Sequence, residues 1–526
     1  MRSRRRFLKE SIAFGAIAAV TSRVNLRADD EFDFVVIGAG SSGCVVVNRL
    51  TADPQTRVLL LEAGGPDVHP LIPVIGQWTS LSGSQVDWKY ATEPEPGLGG
   101  RSIPWPRGKT YGGSSAIGAA AYVRGHQRDF DGWAEECGPS WSYREVLPYF
   151  RKSEDNVRGA SNYHGVGGPM AVADTTDPHA GHDAFLAGAR DLGFAADPKW
   201  DFNGAQQENG AGFYQKNLKD GRRHSAADGY LRPILGRPNL TVRPWSQVKR
   251  LLFTGTRVTG VEYVRNGAIE RAVVTREVIV SAGVIESPKI LMLSGLGPAA
   301  HLRAHGIPVI LDLPGVGANL HDHPRIGLRW AGLTTLPGST VSAGLLTHSG
   351  VNKGAPDLQF YVGRGLSAPD PAIAFSVVVS RPHSRGEIRL RSTDPLAAPL
   401  IRAGYFADAR DMDAAVEGVR LARAIAQTRG YDRLRGPAES PLDSDATPEQ
   451  VRAFIRRTAS TIYHPGGTCR MGRGRDAVVD PTLRVYGVDG LRVADASVMP
   501  TVVNSQTHAA CVMIGERAAE FVSFRA

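Results

Sequence analysis

The chain has 526 residues, 42% hydrophobic and 21% charged, with 60 Gly and 34 Pro, enough for about two to four domains and a large core; a peptide, a zinc-finger-sized module and a disordered chain are excluded. The formal charge is +9, but Arg2, Arg4, Arg5, Arg6, Lys9, Arg23 and Arg27 stand against Glu10 alone in the first 28 positions. The remainder is only mildly basic, so charge argues for neither nucleic acid nor a membrane surface as partner.

In chain order, Ser3-Arg4-Arg5-Arg6-Phe7-Leu8-Lys9 precedes an uncharged run from Ser11 to Val20. Paired arginines ahead of a short, mildly apolar stretch are the pattern of a twin-arginine export signal, here over residues 1–28, which implies a periplasmic or secreted protein exported already folded. The run is too short to cross a hydrocarbon layer of about 30 Å, and no other segment offers about 18 apolar residues, so no transmembrane segment is expected.

Phe34-Val35-Val36-Ile37 predicts a buried parallel strand, followed by Gly38-Ala39-Gly40-Ser41-Ser42-Gly43 and an apolar helix from Cys44 to Leu50. The three glycines serve different ends. Gly38 allows a tight turn, Gly40 lets the backbone approach a pyrophosphate closely, and Gly43 permits helix-to-strand packing. The phosphates would lie at the helix N-terminus. A second strand, Val58 to Leu61, ends in Glu62, 19 positions beyond Gly43, where a carboxylate can accept hydrogen bonds from an adenosine ribose. Strand, turn, helix, strand and acid in order point to a dinucleotide.

Five further motifs follow: Arg107 to Gly118, rich in Gly and Ser; Ser281-Ala282-Gly283-Val284-Ile285-Glu286-Ser287-Pro288; Pro314 to His323; Tyr463-His464-Pro465-Gly466-Gly467-Thr468; and Leu491 to Pro500. Together, from about Phe32 to Phe524, the set resembles the glucose-methanol-choline (GMC) family of FAD-dependent oxidoreductases. The resemblance implies an α/β fold with a discontinuous Rossmann-like FAD-binding domain and a second, substrate-binding domain built on an antiparallel sheet. The FAD domain is expected over 31–160, 210–325 and 460–526, a connecting or lid segment over 161–209, and the substrate domain over 326–459. There, Asp357 to Val362 and Glu387 to Arg391 alternate like antiparallel strands, and Asp411 to Arg429 has helical periodicity.

By the same resemblance, Gly38, Gly40, Ser41, Ser42, Gly43, Glu62 and Ala63 would hold the ADP half of FAD and Val248 would reach the adenine. Gly112, Gly113, Ser114 and Gly118 would lie along the flavin, and Asp495 and Ala496 would approach the pyrophosphate and ribityl chain. The chain departs from the family at Gly118, where Asn is usual, and at Tyr111, where an aliphatic residue is usual. Ile117 stands where covalent members carry the attaching histidine, so FAD is expected to be non-covalent. His321-Asp322-His323 has no further ligands at metal-binding spacing, and no metal is expected.

The implied reaction is oxidation of a small-molecule alcohol to an aldehyde or ketone, with hydride transfer to flavin N5 and oxygen, a quinone or a cytochrome as final electron acceptor. A neutral imidazole, with a reference pKa of about 6.5, can take the hydroxyl proton near neutral pH. His464 is the expected base. An ungapped alignment of Met513-Ile514-Gly515-Glu516 makes His508 its partner, with Gln506 and Asn504 on the same loop as alternatives. Two other readings are an FAD-containing hydroxynitrile lyase of the same fold and a nicotinamide-dependent dehydrogenase, which would use only the first motif.

Overall fold

A computed structural model of the chain describes residues 31–176, 178–333, 342–364, 372–438, 442–443 and 445–523; the expected export signal lies outside the described residues. The apolar runs form the centre of a first sheet. Val58–Leu61 is buried at all four positions, and Phe34 to Ile37 are buried beside it, as strands covered on both faces must be. The strand order is Leu240–Arg243, Val58–Leu61, Glu31–Ile37, Ala268–Val280, Arg257–Arg265, Ser246–Thr254, with Leu491–Val493 also paired to Ala268–Val280. Ala268–Val280 changes partners along its length. Its first half runs antiparallel to Arg257–Arg265, and its second half runs parallel to Glu31–Ile37 and Leu491–Val493.

Gly38 makes the sharp turn out of the first strand at φ +100°, a conformation that favours glycine. Its N–H donates to the Leu61 carbonyl at 2.7 Å, and the Ser41–Leu50 helix follows. A Cβ at Gly43 would stand 1.9 Å from the Gly38 carbonyl oxygen, so this helix approaches the turn as closely as it does only because residue 43 has no side chain. The Thr507–Ser523 helix crosses the same helix, and a Cβ at Gly515 would come within 2.8 Å of the Ser42 carbonyl oxygen. The buried Glu516 carboxylate ties them, taking Arg49 at 2.6 Å and the Tyr230 hydroxyl at 2.9 Å. The two ends of the described chain are thus joined in one layer.

The second sheet has the order Arg435–Ala438, Pro324–Gly332, Ala372–Val379, Leu358–Arg364, Ala343–Thr347, Gly210–Phe213, Ala195–Ala196, with Ser460–Thr461 on Pro324–Gly332. All these pairings are antiparallel except the last in the row, Ala195–Ala196 with Gly210–Phe213. Helices Ala180–Asp191 and Ala409–Ala426 cover one face, Phe185 packing edge-on against Phe375 at 5.6 Å. A Cβ at Gly418 would sit 2.4 Å from Val377.

Two boundaries differ from the sequence expectation. Gly210–Phe213, expected in the FAD domain, is a strand of the second sheet, because its small residues lie against Trp200 with no room for a Cβ at Gly210. The 161–209 segment, expected as a connection or lid, is packed into the body. His164 lies between Glu154, at 3.0 Å, and Asp201, at 2.9 Å, with Arg124 bonded to the same Glu154. Burial opposes the charged imidazole, but these carboxylates override it and push the His164 pKa up to about 9.

Candidate active site

A cavity of about 490 Å³ runs from the glycine turn of the first sheet to the inner face of the second. At its first-sheet end it is lined by Gly38, Gly40, Ser41, Ser42, Glu62 and Ala63, and further on by Gly113, Ser114, Gly118, Val248, Asp495 and Ala496. Of the expected cofactor residues, Gly43 and Gly112 are not on the wall. Gly43 acts through the helix packing described above, and Gly112, at φ +82°, turns the loop against Ser225 and Ala227.

Three features fit this arm to a dinucleotide. Gly40 has an ordinary extended conformation, φ −80°, ψ −164°, and a Cβ there would meet only the Ser281 carbonyl oxygen, at 3.9 Å. The protein itself does not require glycine at 40, and the space a side chain would fill opens into the cavity. The buried Ser281 hydroxyl on the same wall has no hydrogen-bond partner, and the helices Ser41–Leu50 and Gly283–Leu293 begin at this wall, where their free N–H groups favour phosphate. Glu62 accepts the Ala39 and Gly64 N–H groups at 2.8 and 2.7 Å. Burial pushes its pKa up to about 6, which leaves it a carboxylate at neutral pH with lone pairs for ribose hydroxyls.

Asp495 is used differently from a direct ligand. Its oxygens accept from the Gly283 N–H at 2.8 Å, the Ser287 hydroxyl at 2.6 Å and the Ser497 N–H at 2.8 Å, so it holds the start of the Gly283–Leu293 helix at the cavity wall. At Gly118, Arg223 donates to the backbone carbonyl and also to the Ile72 carbonyl, at 2.6 Å for the latter. The missing Asn side chain therefore leaves a main-chain position that is itself held firmly.

The other arm is built around His464. Tyr463 is left-handed, φ +70°, held by its N–H to the Thr461 hydroxyl at 2.6 Å and by Arg107 Nη2 to its carbonyl at 2.7 Å. Asp322 takes the His464 N–H at 2.8 Å and the Thr461 hydroxyl at 2.5 Å, and its Oδ2 is also bonded by Tyr405. The His321-Asp322-His323 motif is a brace for this turn, and among the described residues no cluster suits a metal.

The neighbouring imidazoles set the tautomers. His321 Nδ1–H donates to the Asn319 carbonyl at 2.6 Å, leaving Nε2 to accept the Val502 N–H at 2.6 Å. His323 faces the backbone carbonyls of Ser380 and Val503 and the Nδ1 of His464 at 3.1 Å. One of the two Nδ1 atoms carries the hydrogen of this contact; when His464 is the donor, its Nε2 is unprotonated and can take a proton from a ligand. Burial lowers both pKa values, that of His323 to about 3 and that of His464 well below the ordinary histidine value. Both rings are neutral at pH 7.

Among the three candidate partners, Asn504 is buried away from the cavity, its N–H on Asp129 at 2.8 Å and its side-chain amide on the Pro356 carbonyl at 3.3 Å. His508 is on the wall, with Nδ1 2.9 Å from the Ser41 hydroxyl beside the glycine turn; burial lowers its pKa to about 4. Gln506 is fixed by a closed ring of hydrogen bonds. Its Nε2 donates to Tyr361 at 2.5 Å, Tyr361 to Gln359 at 2.8 Å, Gln359 to Ser505 at 2.7 Å, and Ser505 back to Gln506 Oε1 at 2.7 Å. One amide N–H of Gln506 remains outside the ring, and the residue lines the cavity.

Sequence reasoning passed over Tyr361, Arg325, Trp78 and the buried carboxylate of Glu286, all on the cavity wall. His323 and Arg325 could have been paired by period-2 alternation into the Pro324–Gly332 strand. Tyr361 and Glu286 each have one near neighbour in the chain, Gln359 and Lys289, but Gln506 on Tyr361 and Tyr90 and Gln247 on Glu286 are distant and leave no local signal.

Comparison with known proteins agrees with this architecture. Family models for the GMC oxidoreductase match residues 32–325 and 382–515. The chain is 40% identical to mitochondrial choline dehydrogenase of Mus musculus, over 94% of this chain and 89% of that protein, and 37% identical to an alcohol dehydrogenase [acceptor] of Pseudomonas putida, over 93% and 95%. The solved structure of pyridoxine 4-oxidase from Mesorbium loti superposes with a TM-score of 0.88 at 32% identity, covering 93% of this chain and 98% of that one. With two matching family models, a cavity arm fitted to a dinucleotide and a half-buried histidine at its far end, the chain belongs to the GMC oxidoreductase family and is an FAD-dependent enzyme that oxidises CH–OH groups.

Proposed function

We propose that the enzyme converts an alcohol to the aldehyde or ketone with His464 Nε2 as the general base. The observation that carries this is the Nδ1-to-Nδ1 contact of His323 and His464 at 3.1 Å, with His464 on the cavity wall; with His464 as its donor, Nε2 is left free to take the proton. Bound FAD supplies the two-electron acceptor for the hydride leaving the carbinol carbon. Gln506 uses its remaining N–H to hold the substrate oxygen as the proton departs, while His508 orients Ser41 at the glycine turn. This reading prefers Gln506 to His508, the partner the alignment suggests, because Gln506 and its ring partner Tyr361 both line the cavity while the Ser41 contact holds His508 Nδ1 at the glycine turn. The cofactor is held without a covalent bond: Ile117 offers no nucleophile, and burial pushes the Cys511 thiol on the wall up to about 12, leaving it protonated.

The test is anaerobic reduction of the enzyme-bound flavin in a stopped-flow instrument. Gln506→Ala should slow reduction roughly 10- to 100-fold, the cost of one buried hydrogen bond to a charge-developing oxygen. His508→Ala should weaken FAD retention and change the reduction rate less. A larger rate loss at His508 reinstates it as the partner, and alcohols that never bleach the flavin would favour a hydroxynitrile lyase. Reoxidation of the reduced enzyme by oxygen, a quinone or a cytochrome then identifies the acceptor.

The same proposal includes export by the twin-arginine route, supported by Arg4-Arg5-Arg6 ahead of Phe7-Leu8-Lys9. Replacing the three arginines by Lys should retain the FAD-loaded enzyme in the cytoplasm. Unchanged activity in the periplasmic fraction would refute this.

A further inference from the structure

Two guanidinium groups line the substrate arm, and they differ in what they are bonded to. Arg107 is committed to the fold: Nε donates to the Pro106 carbonyl at 2.6 Å, Nη2 to the Tyr463 carbonyl at 2.7 Å, and its charge faces Asp322 and Asp87. Among the described residues, the one hydrogen bond that Arg325 makes is from Nε to the Ser376 hydroxyl at 2.8 Å. No described carboxylate lies within ion-pair distance of it. The carboxylates on the cavity wall, Glu62, Glu286 and Asp495, all belong to the cofactor arm and are bonded there.

Arg325 follows His323 by two positions in extended chain, so both side chains leave the same face of the Pro324–Gly332 strand. His323 carries His464, and the guanidinium therefore emerges beside the base. Burial draws the Arg325 pKa down, with Tyr463 the only other group acting on its charge. A guanidinium withdrawn from water without a counter-ion is costly, and the cost is removed when a ligand brings the negative charge.

We propose that the substrate is a hydroxy acid whose carboxylate is held by the Nη groups of Arg325 and the hydroxyl proton of Ser376, with its alcohol at His464. This rests on the alcohol-oxidation reading above and narrows it. One fixed positive charge matches one carboxylate. It also opposes a quaternary ammonium alcohol, even though Trp78 and Tyr463 meet edge to face on the same wall, centroids 6.1 Å apart: a cation over those rings would face Arg325, and the acids nearest this arm, Asp322 and Asp87, already face Arg107.

The experiment uses the FAD-loaded enzyme and three alcohols of graded charge: 4-(hydroxymethyl)benzoate, benzyl alcohol and choline. Benzoate, which cannot be oxidised, is titrated separately by its perturbation of the flavin spectrum. The acid should reduce the flavin at least about 10-fold more efficiently than benzyl alcohol, and choline should be the poorest. Arg325→Met should erase the advantage of the acid over benzyl alcohol and weaken benzoate binding roughly 10- to 100-fold, as expected for a lost charge-assisted hydrogen bond. Arg325→Lys should restore part of the benzoate affinity.

Equal or better reduction by choline or benzyl alcohol, or benzoate affinity indifferent to both substitutions, overturns the assignment. If Arg325→Met does not take up FAD, the parent's ranking of the three alcohols and its benzoate affinity against that of Arg325→Lys decide the matter. If no alcohol bleaches the flavin, the oxidation reading fails, and the benzoate titration still judges Arg325 independently.

Discussion

His464→Ala should retain FAD and slow anaerobic flavin reduction by about 10² to 10⁴ fold, the range for a positioned general base. In the parent, the reduction rate should stay level from pH 9 down through 6.5, where an ordinary histidine would begin to protonate. The sign follows from burial: lowering the pKa of His464 and His323 keeps both rings neutral, so the base is lost only well below the usual histidine range. His323→Phe keeps a ring but removes the Nδ1 partner of His464, freeing His464 to take either tautomer. A loss of about 10-fold is expected, in line with outer partners that orient a histidine. A rate that falls through pH 6.5 in the parent, or a His464→Ala enzyme within a few-fold of it, would exclude His464 as the base.

Gly40→Val should yield a folded protein that binds FAD at least about 100-fold more weakly, whereas Gly43→Ala should damage the fold itself. The contrast comes from what each new Cβ meets. At position 40 the nearest atom is the Ser281 carbonyl oxygen at 3.9 Å, and the backbone is one that any residue adopts; at position 43 it is the Gly38 carbonyl oxygen at 1.9 Å. FAD content after purification and thermal unfolding with and without added FAD separate the two effects. Gly40→Val with full FAD content would mean that the open space beside Gly40 is not where the cofactor lies.

The cofactor half of this enzyme is legible in the chain because its parts are local. Phe34 to Ile37, the turn at Gly38, the helix from Ser41 and the acid at Glu62 occupy about thirty consecutive positions, and each follows from backbone sterics and hydrogen-bonding geometry. Ile117 similarly replaces a nucleophile with an inert side chain, whatever surrounds it. The substrate half is built from long-range meetings. His323 reaches His464 across 141 positions and Gln506 reaches Tyr361 across 145, and alternation along a strand says which face a residue takes but not what stands opposite.

The loop before the last helix shows the difference most clearly. Its sequence offers Asn504, Gln506 and His508 as equivalent-looking polar side chains. Anchoring of Val502 on His321 and of Asn504 on Asp129 fixes the loop so that Gln506 and His508 line the cavity and Asn504 does not. The family, the FAD-binding turn and the candidate base can be read from the chain alone, because each motif that carries them is made of residues close together along it. The contact of His464 with His323, the different surroundings of Gln506 and His508, and the unpaired charge of Arg325 emerge only in the folded protein. Each depends on which distant groups share a buried space where an unmatched proton or charge is costly.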